Sequence, residues 1–396
     1  MSTRLAKGGR LLNRGRAVEF TFNGKRMRGF EGDTLASALL ANGQMLVGRS
    51  FKYHRPRGIV ASGAEEPNAL VNLGSGGRFE PNQRATTIEI FDGLEATSQN
   101  HWPSLEFDVG LVNNYASRFL PAGFYYKTFI HPRAAWKHVF EPFIRQSAGL
   151  GKAPKERDAD RYDHFHAHVD VLVIGGGIAG LAAARSAGAS GAQVLLVEQT
   201  AALGGRAPVD GAVIDNMEAA DWIGKTEAEL RRMDNVRIRT RTMGAGVYDH
   251  GYTLAYERLR DHAPAEEGPR HRLWKIRAKQ IITATGAIER PLAFAGNDLP
   301  GVMLASAVRD FTVNWGVSPG DRTVIVTNSD DAYRTALVLK EAGLEVPAVL
   351  DARPESTGPL AETVRAAGIR VINGRGVAKV KGRGRVEGVA IAAQAG

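Results

Sequence analysis

A chain of 396 residues, 23% charged and 43% hydrophobic, is long enough for two or three domains with buried cores. It has no cysteine, which excludes disulfides, thiolate zinc sites, cysteine-ligated iron–sulfur clusters, cysteine nucleophiles and a CxxC redox pair. The net charge of +9 lies wholly in residues 1–60, which carry 12 basic and 3 acidic residues, against 39 of each in the other 336; the basicity belongs to one segment and not to the whole molecule.

The elements read in chain order as follows. AVEFTFNG (17–24) alternates apolar and polar residues and ends in Asn-Gly, a half-buried strand entering a hairpin. A second strand over Arg26–Phe30 is followed by Gly32-Asp33-Thr34 as turn and N-cap of a helix, LASALLANG, closed by Gly43. Strand, strand, helix is the opening of a β-grasp domain. Further strands are predicted at ALVNLG and TTIEIFDG, so the first domain spans 1–95. Residues 96–168 carry 13 of the 29 aromatics, among them Trp102, Phe124, Tyr125, Tyr126, Trp136, Phe140 and Phe143, with little periodicity. They are expected to connect domains and pack over other surfaces, with KAPKERDADRYD (152–163) an exposed linker. From His168 onward strands and helices alternate around glycine-rich turns, an α/β pattern.

The strongest motif is DVLVIGGGIAGLAAARSAGASGAQVLLVEQ (170–199). An apolar strand enters Gly175-x-Gly177-x-x-Gly180, an alanine-rich helix follows, and a second apolar strand ends in Glu198, 18 residues after Gly180. This is the dinucleotide-binding fingerprint in its required context. Gly175 permits the tight turn, Gly177 lets a pyrophosphate approach the backbone, and Gly180 lets the helix lie close to the strand, while the helix N-terminus offers unpaired N–H groups. Glu198 is suited to the ribose hydroxyls of an adenosine and would repel a 2′-phosphate, which disfavours NADP. Leu203-Gly204-Gly205-Arg206 stands where two-dinucleotide proteins place a glycine pair and a basic residue beside phosphates. IITATGAIERP (281–291) supplies a strand ending in an Ala-Thr-Gly turn, with Thr285 and Gly286 at the same cofactor and Arg290 either at a phosphate or in a solvated loop.

A second strand–helix pair, TVIVTNSDDAYRTALVLKEAGLEVPAVLD (323–351), has Thr327, Asn328 and Ser329 where glycines would stand, then Asp330 and Asp331. Two carboxylates at a helix N-terminus cap the helix well and repel a pyrophosphate, so one working dinucleotide site is expected. The first dinucleotide domain is read as 169–320 and the second, degenerate unit as 321–396; since the chain stops in a strand of that unit, both are expected to be incomplete. His164, His166 and His168 share one face of a strand, but no carboxylate stands at ligand spacing and no metal is expected. His54, within Lys52-Tyr53-His54-Arg55-Pro56-Arg57, lies either at a phosphate or in a loop that docks on another subunit. No nucleic-acid motif accompanies the basic segment, no run reaches the ~20 apolar residues of a membrane span, and no secretory core is present, so a cytoplasmic protein is expected.

The runs DTLASALLANG…LVGRSFKYHRPRG, FYYKTF (124–129), HAHVDVLVIGGGIAGLAAA and TNSDDAYRTA together resemble the N-terminal part of the α subunit of heterotetrameric sarcosine oxidase, over essentially the whole chain. Related α subunits are those of hydrogen cyanide synthase and of dye-linked proline and opine dehydrogenases. In several of these the β-grasp domain is ferredoxin-like and carries a [2Fe–2S] loop of the pattern Cys-x4-Cys-x2-Cys. The corresponding positions here are Ala61, Glu66 and Ala69, so no cluster is expected.

The resemblance implies a subunit that binds NAD+, while a β subunit oxidises sarcosine with FAD and an FMN at the α/β boundary passes electrons to oxygen. It also implies γ and δ partners and a folate-binding C-terminal half. The products would be glycine, hydrogen peroxide, and formaldehyde or methylenetetrahydrofolate. The candidate cofactor-binding residues are Gly175, Gly177, Ala179, Gly180, Glu198, Gln199, Gly205, Arg206, Met243, Thr285 and Gly286, with no catalytic residue in this chain. The alternatives are an FAD-dependent pyridine nucleotide oxidoreductase, opposed by the missing cysteine pair, and the α subunit of an amino-acid or opine dehydrogenase complex.

Overall fold

The structure is a computed structural model that describes residues 2–121, 123, 127, 129, 131–147, 149 and 151–393. Two compact units emerge, residues 1–158 with 289–396, and residues 159–288.

Strands β1 (Asn13–Phe22) and β2 (Lys25–Glu31) form an antiparallel hairpin. Its turn residues Asn23 and Gly24 have φ of 51° and 77°, the left-handed pair that Asn-Gly adopts readily. Thr34 caps helix α1 (Leu35–Ala41) by accepting from the Ser37 N–H at 3.1 Å. All seven helix residues are buried, and the one polar side chain among them, Ser37, donates to Asp33 at 2.6 Å. Strands β3 (Leu70–Leu73), β4 (Glu80–Arg84) and β5 (Leu94–Ser98) complete a sheet of order β2-β1-β5-β3-β4, with β1 and β5 parallel. The strand predicted at TTIEIFDG is not part of this ladder. Its backbone serves the start of α1, since the Leu35 N–H donates to Ile88 O and the Ile90 N–H to Asp33 O. Ile88 and Ile90 are buried as their alternation suggests, but they fill the core and do not mark a ladder strand.

Short helical pieces lie within 109–119 and 133–147 of the segment 102–147. Trp102, Phe107, Tyr115, Phe119 and Phe143 are each at least 70% exposed, so this segment presents aromatic surface outward. Trp136 and Phe140 are half-buried, and Phe124, Tyr125 and Tyr126 lie outside the described residues. The basic loop before it is engaged within the chain. Buried Arg49 donates to Leu105 O at 2.6 Å, Tyr53 Oη to Leu120 O at 2.8 Å, and His54 Nδ1 lies 2.7 Å from the buried Asp108 carboxylate. These contacts use part of the segmental charge to hold residues 102–121 in place.

The second unit is built on a six-stranded mixed sheet with helices. Strand β6 (Tyr162–Ile174) leads through the glycine turn into α2 (Ile178–Ala189) and β7 (Val194–Val197). Helix α3 (Ala219–Arg231) precedes β8 (Val236–Arg239), β9 (Thr242–Tyr248), β10 (Tyr252–Arg258) and β11 (His271–Thr283). The strand order is β8-β7-β6-β11-β10-β9, parallel from β8 to β11 and antiparallel through the last two. Strand β6 begins at Tyr162, earlier than the apolar run suggests, because Tyr162–Val169 pair residue for residue with His271–Ala278. His164, His166 and His168 therefore do alternate along a strand, and all three are exposed.

Helix α4 (Ala305–Trp315) returns to the first unit. Phe311, Trp315 and Val317 lie in the same buried cluster as Phe20, Leu35 and Leu39, and the Trp315 indole N–H donates to Gly32 O at 3.0 Å. The compact units thus differ from domain boundaries at 95, 168 and 320, because the first core is completed by residues nearly 300 positions later. The remaining elements are β12 (Ile325–Thr327), α5 (Asp331–Glu341), β13 (Val349–Asp351), α6 (Pro359–Ala366), β14 (Val371–Asn373), and the hairpin of β15 (Arg375–Lys381) with β16 (Gly388–Ala393). Parallel β12, β13 and β14 and their helices form a small α/β layer.

Neither carboxylate at the start of α5 caps it through its side chain. Asp331 accepts from the fully buried Arg309 at 2.9 Å, and Asp330 from Arg353 at 2.7 Å. Arg353 also bonds Asp351, which accepts in addition from Tyr333 Oη at 2.8 Å. Burial alone would push the Asp351 carboxyl up, but Arg353 and Tyr333 hold it below the usual range. A depressed folded-state value means stability that is complete above the ordinary Asp range and lost as pH falls from about 4. Urea unfolding followed as a function of pH is expected to show this loss, and Asp351→Asn is expected to flatten that limb.

Candidate dinucleotide site

Three parallel strands end side by side. Ile174 of β6 stands opposite Val197 of β7 and Thr283 of β11, so the turns that leave them, at Gly175, Glu198 and Ala284, share one edge. The Gly175 N–H donates to Val197 O and the Ala284 N–H to Ile174 O, each at 2.8 Å. The carboxyl edge of a parallel sheet is where α/β folds bind ligands.

Two of the fingerprint glycines answer to different demands. A Cβ on Gly180 would stand 1.9 Å from Gly175 O, so α2 can start this close to the turn only without a side chain there. Gly177 is the reverse case. Its φ of −71° suits any residue, and an added Cβ would meet no heavy atom within 4 Å. Nothing in the chain requires glycine at this N-cap. The bare backbone leaves room beside the start of α2, and a helix N-terminus offers backbone N–H groups to an anion such as pyrophosphate.

The Leu203–Arg206 loop is attached to this turn through a 2.8 Å bond from the Gly204 N–H to Gly176 O. A Cβ on Gly205 would come within 3.3 Å of Gly177 Cα, so Gly205 adjoins the open N-cap. Arg206 is half-exposed and ion-paired with Asp210 at 3.2 Å. Glu198 is buried, and one carboxylate oxygen accepts from the Gly176 N–H at 2.7 Å. The other accepts from the Thr200 N–H and Oγ1, each at 2.8 Å. The carboxylate therefore ties the end of β7 to the glycine turn, a role the spacing alone did not reveal. Thr200, two residues beyond the acid and able to fold back on it, was the readable signal.

Ala179 and Gln199 are exposed beside these groups, and Thr285 and Gly286 are exposed just past β11. Met243 is exposed on β9, next to Thr242, whose N–H donates to Glu198 O at 2.7 Å. The structure thus brings Gly175, Gly177, Gly180, Glu198, Gly205 and the turn after β11 to one edge. Arg290 is exposed and belongs to the other unit. Among the described residues no group of three or more His, Asp or Glu side chains is placed to hold a metal, and no helix is long and apolar enough to cross a membrane.

Known proteins resemble this chain along most of its length. It is 54% identical over 355 residues to sarcosine oxidase subunit alpha of Rhizobium meliloti (strain 1021), covering 89% of this chain and 36% of that protein. Sarcosine oxidase subunit alpha of Corynebacterium sp. (strain P-1) is 39% identical over 370 residues, 92% of this chain and 33% of that one. The chain therefore spans about a third of the length of these relatives. Among solved structures, L-proline dehydrogenase from P. horikoshii superposes with a TM-score of 0.60 at 22% identity, over 96% of this chain and 58% of the other, a likeness of fold.

Residues 15–101 match the 2Fe-2S iron-sulfur cluster binding domain. The fold agrees with that description and the donor set does not, since a chain without cysteine has no thiolates to hold the irons. Residues 169–395 match the pyridine nucleotide-disulphide oxidoreductase family, although the disulphide of that name has no counterpart here. With the glycine turn, the acidic end of β7 and the returning turn after β11 at one edge, and with this match over more than half its length, the chain belongs to the pyridine nucleotide-disulphide oxidoreductase family.

Proposed function

We propose that this chain is the NAD+-holding portion of a sarcosine-oxidase-type α subunit. The observation that carries the reading is the open N-cap at Gly177, where neither backbone conformation nor packing calls for glycine. The identity to sarcosine oxidase α subunits supports the assignment to that complex.

In this reading the pyrophosphate lies on the N-terminus of α2 beside Gly177 and Gly205, Glu198 faces the adenosine ribose, and the turn at Thr285-Gly286 closes the edge. Ala179, Gln199, Arg206 and Met243 complete the surroundings. A nicotinamide dinucleotide supplies a hydride acceptor when bound; the part of this chain is to bind and orient it, and no residue here is assigned to amine oxidation. That step, sarcosine with water and dioxygen giving glycine, formaldehyde and hydrogen peroxide, is assigned to a flavin-bearing β subunit, with γ and δ subunits completing the complex. The exposed aromatics Trp102, Phe107, Tyr115, Phe119 and Phe143 support such partners, because large apolar side chains left in water are suited to contact surfaces. One dinucleotide site is assigned to the chain, since at the second α/β layer Arg309 and Arg353 already hold the carboxylates at the start of α5.

The direct test is to denature the purified protein and identify the released nucleotide by mass spectrometry. NAD+ at about one per chain is expected; release of FAD would reassign the site to a flavin, and release of neither would remove the reading.

Two substitutions separate fold from ligand. Gly177→Ala adds a Cβ that meets no heavy atom of the chain within 4 Å, so its stability is expected to stay within about 0.5 kcal/mol of the parent while nucleotide retention falls at least tenfold. Gly180→Ala is expected to lower stability by roughly 1–3 kcal/mol, because its Cβ overlaps the Gly175 carbonyl. Glu198→Gln puts an NH2 group against N–H donors; nucleotide retention about tenfold weaker is expected in equilibrium dialysis, and unchanged retention would dissociate Glu198 from the ribose.

A further inference from the structure

The 2Fe-2S-type module of this chain has the loop for a cluster and none of its ligands. The three aligned positions are all sealed from solvent, with Ala61 and Ala69 at 0% and Glu66 at 1% exposure. Burying a carboxylate so completely is costly unless its oxygens are satisfied. Those of Glu66 are satisfied by the loop itself. One accepts from the Val60 N–H at 2.8 Å and the Ala61 N–H at 2.6 Å. The other accepts from the Asn68 N–H at 2.7 Å and the Ala69 N–H at 3.0 Å. Among the described residues no cationic side chain pairs with this carboxylate.

Four backbone amides converging on one point form an anion cradle of the kind that receives phosphates and iron–sulfur clusters. Alanine at 61 and 69 leaves the cradle without any other donor or counter-charge. The loop also adjoins α4, since the Leu304 N–H donates to Val60 O at 2.8 Å and Ser62 Oγ to Asp310 at 2.6 Å. Thr86 Oγ1 holds the far side through a 2.6 Å bond to Gly63 O.

We propose that residues 60–69 are a cluster-type anion site which this chain fills with its own Glu66 carboxylate, so that a fixed internal charge holds the loop and the module has a structural role without redox chemistry. Burial pushes the Glu66 carboxyl up and the four amides oppose that shift. All four hydrogen bonds point at the two oxygens and leave no acceptor for a carboxyl proton, so the ionised form fits the geometry. The free ligand class for the emptied cradle is a small carboxylate.

The test is amide hydrogen exchange in the whole chain, read at Val60, Ala61, Asn68 and Ala69, for the parent, Glu66→Ala and Glu66→Gln. In Glu66→Ala, protection at these four amides is expected to fall at least a hundredfold while the β1–β2 amides stay protected. Sodium formate is expected to restore at least tenfold of that loss at a concentration where sodium chloride of equal ionic strength restores none. Glu66→Gln, which keeps the size and loses the charge, is expected to lose protection at two or more of the four amides. Should Glu66→Ala not fold, Glu66→Gln alone decides. Full protection in Glu66→Gln, full protection in Glu66→Ala without an added anion, or restoration by chloride as effective as by formate would each overturn the proposal.

Discussion

The second unit depends on one close approach, that of helix α2 to the strand that feeds it. With Gly180 where its Cβ would overlap the Gly175 carbonyl, the helix can begin within a turn of the end of β6. Its N-terminus then lies close to the turn at the end of β6. Glu198 fixes the neighbouring strand to the same turn through Gly176, and the Leu203–Arg206 loop is attached through Gly204. The edge is therefore built around a backbone geometry, and side chains keep it in place without lining it. This suits a site for a dinucleotide, whose pyrophosphate is held by N–H groups and a helix dipole more than by any single charged residue.

A related logic appears twice more in the first unit, with the anion supplied from within. At the start of α5, two carboxylates occupy the helix N-terminus and two arginines neutralise them. In the 60–69 loop, four amides converge on the carboxylate of Glu66. In both places a group of backbone N–H donors or a helix N-terminus is met by carboxylates of the chain itself. Buried polar groups that have lost a ligand must be paired or lose stability, so a replaced ligand leaves a side chain in its place. At the glycine turn the internal carboxylate of Glu198 takes the Gly176 N–H, and the start of α2 beside Gly177 is the place proposed for a cofactor.

Much of the local structure was legible because it follows from short-range chemistry. The Asn-Gly hairpin, the Thr34 cap, the glycine turn and the strand ending at Glu198 each depend on residues within a few positions of one another. The stretch at TTIEIFDG was misread for an equally physical reason. Alternation shows which side chains are buried, but it does not show whether the backbone pairs with a strand or with the start of a helix, and here Asp33 and Leu35 take those bonds. Asp330 and Asp331 were read as helix caps and as poor neighbours for a phosphate; the structure bonds them to Arg353 and Arg309, 23 and 22 positions away, beyond any local pattern.

By itself, then, the amino-acid order determined that the chain has a fingerprint for a dinucleotide, no thiol chemistry and a basic first segment, because these are matters of residue type and spacing. The tertiary structure decided what those features do. It assigned α4 to the first core through Phe311 and Trp315, turned much of the basic loop onto residues 102–121, and closed the cluster-type loop on Glu66. Each of these outcomes is a contact between distant parts of the chain. Burial makes each one obligatory, since a carboxylate or guanidinium taken from water must find its partner wherever the fold brings one.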